Sequence, residues 1–423
     1  MRYCKGFTGL LFVAIMGLVL AGPAVYGIAE AKEVAIGFSG PLSGVGAEYG
    51  QDCANGLDMA VNDINAAGGI TVGGEKYTLK LVKLDDRIDP TEAVNNCRRL
   101  QDQDKTPAIF NPVFNTIAAM AKINEEKGHE FLVMGYTSTP KMIQLGNKLL
   151  AGIPPPFTVY LRLFADQAMK WGFHKAAMVV TLGAYGDEWR HSFKEYWESK
   201  GGQITEDKPA NYYTETDFSA QLTAAIASKP DVMLIGGPSA PTALVIEQAR
   251  NLGYKGGFIM VDQAKADYIA NILKGTELMN NTIAVGTIGQ LPYPAMAPFD
   301  KRYTELYKRM QTWEVSLNYT AMHALARAMV AAGTVSDPVA IRAALPKAFP
   351  LLGDKFPVEF FGITPAGRME LAASVQYIKD GKFSPMQLWY WWFKTEEEFN
   401  LFKKEHPAPG NTPMNFLKFE HEE

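Results

Sequence analysis

The chain is poor in the residues that carry most chemistry. It has three cysteines and six histidines in 423 residues. His129, His174, His191, His323, His406 and His421 are scattered, with no metal-ligand spacing, so no metal is expected. No Walker loop, His-Glu-x-x-His or Gly-x-Ser-x-Gly segment occurs, and neither an enzymatic activity nor a cofactor is expected. Gly44-x-Gly46-x-x-x-Gly50 imitates a dinucleotide fingerprint, but its spacing is one residue too long. There is no polybasic run, both charge signs are spread along the chain, and the formal net charge is −4. A mildly acidic surface argues against nucleic acid and anionic membranes as partners. Beyond the first 31 residues no apolar stretch is long enough to span a bilayer.

What is present begins with an export signal. Arg2 and Lys5 supply positive charge, Gly6 to Gly22 is an apolar run, and Ala29-Glu30-Ala31 is a small-x-small cleavage site. Cys4 precedes the apolar run, so it is not a lipid-bearing cysteine. The expected mature chain starts at Lys32, outside the cytoplasm, in the periplasm or an equivalent space. Removing Arg2, Lys5 and Glu30 takes away one positive charge and leaves −5. The remaining length, roughly 390 residues, suits two domains of ordinary size.

After Lys32 the chain alternates between strands and helices. Glu33–Phe38, Thr78–Leu84, Ala108–Asn111 and Phe131–Met134 read as strands; Asp52–Ala66, Pro90–Gln101 and Asn115–Lys127 read as helices between them. After Pro154-Pro155-Pro156 the pattern restarts, with strands at Ala176–Thr181, Val232–Gly236 and Phe258–Val261 and helices at Asp187–Lys200 and Pro241–Leu252. Helices follow at Phe299–Gln311 and Tyr319–Ala332, and late strands at Ser374–Lys379 and Leu388–Phe393. Such alternation predicts two α/β units, each with a parallel sheet. Cys53 and Cys97 fall on the first two helices, which in a doubly wound sheet cover opposite faces, so they are expected as two buried free thiols. The Trp389-Tyr390-Trp391-Trp392 run is read as packing, and the charged, proline-bearing stretch from Lys394 as a loose tail.

One ordered set of short motifs is specific. It runs Ser39-Gly40-Pro41-Leu42-Ser43-Gly44, Tyr49-Gly50, Gly56, Asp63-Ile64-Asn65-Ala66-Ala67-Gly68-Gly69, Asp85-Asp86 and Asp89-Pro90. It continues through Tyr185-Gly186, Asp217-Phe218-Ser219, Lys229-Pro230-Asp231 and Leu252-Gly253. This set resembles the leucine/isoleucine/valine-binding family, the substrate-binding proteins of branched-chain amino-acid-type ABC importers. The resemblance implies an α/β fold of two Rossmann-like lobes with parallel sheets, joined by three hinge crossings, with solute held between the lobes. It places the crossings near Tyr160–Asp166, Thr287–Leu291 and Glu359–Thr364. Lobe one would comprise residues 32–161 and 289–360, lobe two residues 162–288 and 361–395, and residues 396–423 the tail. The partners it implies are a small amino acid or related carboxylate and a membrane permease, with the binding protein a monomer. A sensory protein of the same fold, or a binder of amides or aromatic acids, is the alternative.

The site residues follow from the same resemblance. Helix amino termini beyond the carboxyl ends of the strands suit a ligand carboxylate. The family's serine at the third helix is matched by Asn115, with Thr116 beside it. The loop Met134-Gly135-Tyr136-Thr137-Ser138-Thr139-Pro140 offers Thr137 and Ser138 as an anion cradle, with Tyr136 as a wall. Tyr185 and Tyr49 are expected as opposing walls, Ser239 as a further contact, and Asp262 as the partner of a ligand ammonium.

Overall fold

The computed structural model describes residues 31–44 and 46–419. The expected export signal, with Cys4, therefore lies outside the described residues. The described residues belong to one compact unit.

The first sheet is built from β1 (Lys32–Gly40), α1 (Ala47–Ala66), β2 (Ile70–Val72), β3 (Glu75–Asp85), α2 (Pro90–Arg99), β4 (Ala108–Asn111), α3 (Phe114–Met120), β5 (Leu132–Gly135), α4 (Lys141–Gln144) and β6 (Leu150–Gly152). Its strand order is β2-β3-β1-β4-β5-β6, parallel throughout except for the β2–β3 hairpin. α5 (Phe157–Lys170) then leads to β7 (Lys175–Val180), α6 (Ala184–Ser199), β8 (Gln203–Asp207), α7 (Ser219–Ala227), β9 (Val232–Gly236), α8 (Ser239–Asn251), β10 (Gly257–Met260), α9 (Ala266–Ile272) and β11 (Thr282–Val285). These strands make the parallel part of the second sheet, in the order β8-β7-β9-β10-β11. The chain returns through α10 (Met296–Tyr307), α11 (Trp313–Ala332) and α12 (Pro338–Ala344), and α11 packs along α1. A small hairpin, β12 (Gly362–Ile363) with β13 (Met369–Glu370), precedes β14 (Ala373–Lys379), which extends the second sheet antiparallel to β11, and β15 (Lys382–Phe383) and β16 (Gln387–Tyr390), which each pair antiparallel to β14.

Both sheets are buried on their two faces, and alternation along single strands shows it. Leu132 and Met134 of β5 enter one apolar cluster, whereas Val133 between them enters another. Val232 and Leu234 of β9 likewise part from Met233 and Ile235. Cys53 and Cys97 are buried and unpaired. They belong to the two clusters on opposite sides of the first sheet, which is why they cannot meet.

Three expectations are corrected. Tyr160–Asp166 is not a crossing: it lies inside α5, whose ring- and methyl-rich sequence follows the Pro154-Pro155-Pro156 run. The chain changes sheet earlier, over residues 153–156. At the third passage Glu359–Thr364 is still held to the first sheet's side, because Arg368 bridges to Gly152, and the second sheet begins only at Ala373. Between β11 and α10, residues 288–290 form a single 3₁₀ turn. The stretch after Lys394 is not loose. Thr395 and Glu398 form a reciprocal capping box at the start of α13 (Glu396–Glu405), Phe399 is buried, and β17 (Met414–Phe416) pairs parallel to β16. The aromatic run is packing, as read: Trp391 is buried with its indole N–H on the Leu371 carbonyl, and Trp392 stacks on Phe361.

Candidate functional site

The carboxyl ends of the parallel strands in the two sheets face a common cleft. Its centre is a cavity of about 520 Å³. The first sheet's side contributes Tyr49, Phe114, Tyr136, Thr137, Ser138 and, from the start of α11, Glu314; the other side contributes Tyr185, Tyr213, Asp262, Gln263 and Lys265. A second chamber of about 550 Å³ adjoins it, sharing Tyr49, Gln263, Lys265 and Glu314 and adding Glu48, Asp52, Ser239 and Tyr268.

Asp262 follows β10 and is prearranged by its own side of the cleft. Tyr185 donates its hydroxyl to Asp262 Oδ1 at 2.5 Å and Trp189 its indole N–H to the same oxygen at 2.9 Å. Phe157 stacks on Trp189 and meets Tyr185 edge-on, which fixes both donors. Burial first, and then the charge of Asp262, push the Tyr185 phenol well above its ordinary value, so it stays a donor. Both bonds fall on Oδ1, and the other carboxylate oxygen has no side-chain donor among the described residues.

Lys265 crosses the cleft. Its ammonium reaches the Asp262 carbonyl at 2.6 Å and Glu314 Oε1 at 3.4 Å, and its backbone N–H donates to Ser239 Oγ at 3.0 Å. Tyr136 donates to Glu314 Oε1 at 3.3 Å and leans against Tyr49, ring centroids 6.0 Å apart. Burial likewise raises the phenols of Tyr49 and Tyr136. A second set of charges spans the outer chamber. Tyr268 donates to Glu48, and Arg309 reaches Glu48 at 3.0 Å and Asp52 at 3.1 Å. Tyr303 and Thr312 also donate to Asp52, at 3.0 and 3.2 Å. Burial nevertheless raises the Asp52 carboxyl to about 7, against the opposing pull of Arg309.

Seven of the nine expected residues line these chambers: Tyr49, Tyr136, Thr137, Ser138, Tyr185 and Asp262 the central one, Ser239 the outer one. Two do not. Val113 takes the N-cap position of α3, so Asn115 lies on the helix's exposed side and lines neither chamber. Thr116 is buried with its hydroxyl 2.7 Å from Asn111 Oδ1 and 2.8 Å from the Val113 carbonyl, which ties down the strand-to-helix turn. The Thr137 hydroxyl also serves the turn, 3.2 Å from Thr139 Oγ1. Glu314 and Lys265 were missed. Lys265 sits three residues beyond Asp262, where a strand-end loop meets a helix. Glu314 was hidden because α11 starts at Trp313, six residues before the apolar periodicity suggested. A carboxylate in the first turn of an otherwise apolar helix was the available signal.

The sequence pattern of the periplasmic binding protein family matches residues 33–382. An amino acid binding protein of Pseudomonas aeruginosa is 27% identical over 343 residues, which cover 79% of this chain and 86% of that protein. A Leu/Ile/Val-binding protein of Rhizobium johnstonii is 27% identical over 318 residues, covering 74% of this chain and 83% of that one. Among solved structures, a leucine binding protein of Thermotoga maritima matches with a TM-score of 0.69 over 83% of this chain and 97% of its own, at 24% identity, a likeness of fold.

Proposed function

This chain belongs to the periplasmic binding protein family, and from that premise we propose that it is the extracytoplasmic binding component of an ABC importer. It holds an α-amino acid in the cleft without turnover, works as a monomer from Lys32 onward, and delivers its solute to a membrane permease. The two lobes close on the solute by bending at the three passages between the sheets. Relatives named for amino acids, or for leucine, isoleucine and valine, support the solute class.

The observation that carries this reading is the charge balance of the central chamber. Asp262 and Glu314 face one cation, Lys265, so the chamber holds one formal negative charge more than positive. That excess suits a ligand bringing an ammonium, and it weakens, without abolishing, the binding of a carboxylate alone. We assign the ammonium to Asp262, the carboxylate to the Thr137–Ser138 edge, and the side chain to the Tyr49, Tyr136 and Tyr185 walls. Ser239 meets only ligands long enough to enter the outer chamber. A second reading, an aromatic acid or an amide, is favoured by the ring-rich lining, which adds Phe114 and Tyr213 to those three tyrosines.

Thermal unfolding of the Lys32–Glu423 chain, with amino acids, benzoate, short amides and urea compared, tests the proposal. A ligand at a hundredfold its dissociation constant stabilises by about 2.7 kcal/mol. Stabilisation by α-amino acids is expected. Stabilisation by benzoate or amides alone transfers the assignment to the second reading, and no stabilisation by any solute overturns both.

A further inference from the structure

Behind the Thr137–Thr139 segment lies an arginine 2% exposed, Arg368. Its Nη1 donates to the Thr137 carbonyl at 2.6 Å and approaches the Pro154 carbonyl at 3.4 Å, and its Nη2 donates to the Thr139 carbonyl at 3.0 Å. It is itself held at the rim of the first sheet. Gly152 donates its N–H to Gly367, and Arg368 donates its own to Thr364 Oγ1 at 3.0 Å. Gly152 also makes room for it: a Cβ there would stand 2.9 Å from Arg368 Nη1.

Peptide planarity turns these contacts into a direction. The bond between Thr137 and Ser138 is trans, so its C=O and N–H point opposite ways. With the Thr137 carbonyl drawn back to Arg368, the Ser138 N–H is turned away from the guanidinium. Thr137 and Ser138 line the central chamber; Arg368 lines a separate cavity behind them. The next peptide runs the other way: Ser138 C=O accepts from Phe157 N–H at 2.9 Å, and Thr139 N–H turns to Thr137 Oγ1 at 3.4 Å. The Ser138 N–H has no acceptor among the described residues.

We infer that Arg368 is the positioning residue for the anion-binding edge of the cleft. It aims the Ser138 N–H into the chamber by gripping the carbonyls on either side, and it places a positive charge behind that donor. The inference rests on the assignment of this edge to the ligand carboxylate. The planar fork is what lets one side chain hold two carbonyls; a lysine ammonium supplies the charge as a point.

The test follows the Ser138 amide by NMR in the ¹⁵N-labelled protein, with acetate as the carboxylate probe and methylammonium as a probe of the Asp262 edge. In the native protein acetate should shift the Ser138 amide. Arg368→Met should weaken that acetate binding tenfold or more while methylammonium binding stays within twofold, and Arg368→Lys should fall between. Acetate binding within twofold of native in Arg368→Met overturns the inference and leaves the edge assignment standing. Parallel loss of both probes reduces Arg368 to a structural role and also overturns it. If acetate never moves Ser138 in the native protein, the edge assignment fails and the inference with it. Should Arg368→Met not fold, Arg368→Lys decides, since native acetate binding there would show that the fork is not needed.

Discussion

The two walls of the cleft hold their acids differently. Asp262 is satisfied within its own wall by Tyr185 and Trp189. Glu314, on the facing wall, has Tyr136 beside it but its cation, Lys265, comes from across the cleft. Separating the walls therefore leaves Asp262 preorganised and strips Glu314 of its countercharge. On the proposed reading, one acid is a fixed receptor for a ligand and the other an element of closure, rewarded only when the walls meet.

Four measurements break or sharpen that contrast. The largest effect is expected from Lys265→Met, which leaves Glu314 buried beside Tyr136 without its cation. Denaturant unfolding should show a loss of about 3–5 kcal/mol, and a loss below about 1 kcal/mol would mean that Glu314 does not depend on the opposite wall. Asp262→Asn should do the reverse. Calorimetric titration with an α-amino acid that binds should lose about 2–4 kcal/mol of affinity while stability barely changes, because the donors around Asp262 keep an oxygen to bond. A stability loss as large as the affinity loss would erase the distinction between the walls.

The third measurement concerns the outer chamber. The folded carboxyl of Asp52 titrates near 7, above the free value near 3.9. The folded state thus binds this proton more tightly, so the stability it confers is complete below about pH 4 and is lost as pH rises towards 7. Asp52→Asn should remove a downward slope on the order of 1–3 kcal/mol between those limits, read as the difference between native and variant melting curves across pH. A difference that does not vary with pH would show that Asp52 titrates normally. The smallest effect is expected from Tyr185→Phe. Removing one of two donors to Asp262 should weaken ligand binding by about 1 kcal/mol, and no change would mean that Trp189 alone holds the carboxylate.

Much of this was readable beforehand, for identifiable reasons. Asp85-Asp86, Tyr185-Gly186 and the motifs around them carry the family resemblance, and that resemblance pointed to Tyr49, Thr137, Ser138, Tyr185 and Asp262, all of which line the central chamber. Helix α5 was missed because the resemblance placed a crossing at Tyr160–Asp166, although Thr158, Arg162, Asp166 and Lys170 recur every four residues as one polar stripe. Asn115 misled because a hydrogen-bonding residue near a helix start is suggestive whichever way it faces, and only the position of Val113 as N-cap decides the face. Arg368 was invisible for a different reason. It reaches the Thr137–Thr139 loop from a distant part of the chain, and nothing local distinguishes a guanidinium that will meet the carbonyls of Thr137 and Thr139 from one that will meet water.

The pairing of β17 with β16 also has a consequence in time. A ribosome makes β16 before the strand that covers its outer side, so a nascent chain that has emerged through Tyr390 but not to Met414 presents an unsatisfied sheet edge. During that interval the second lobe is unfinished and open to pairing with a neighbour. Among the described strands β17 is thus the last to be synthesised and the one that covers β16, and a transcript cut short before Met414 would yield a chain with every cleft residue in place and a standing invitation to aggregate.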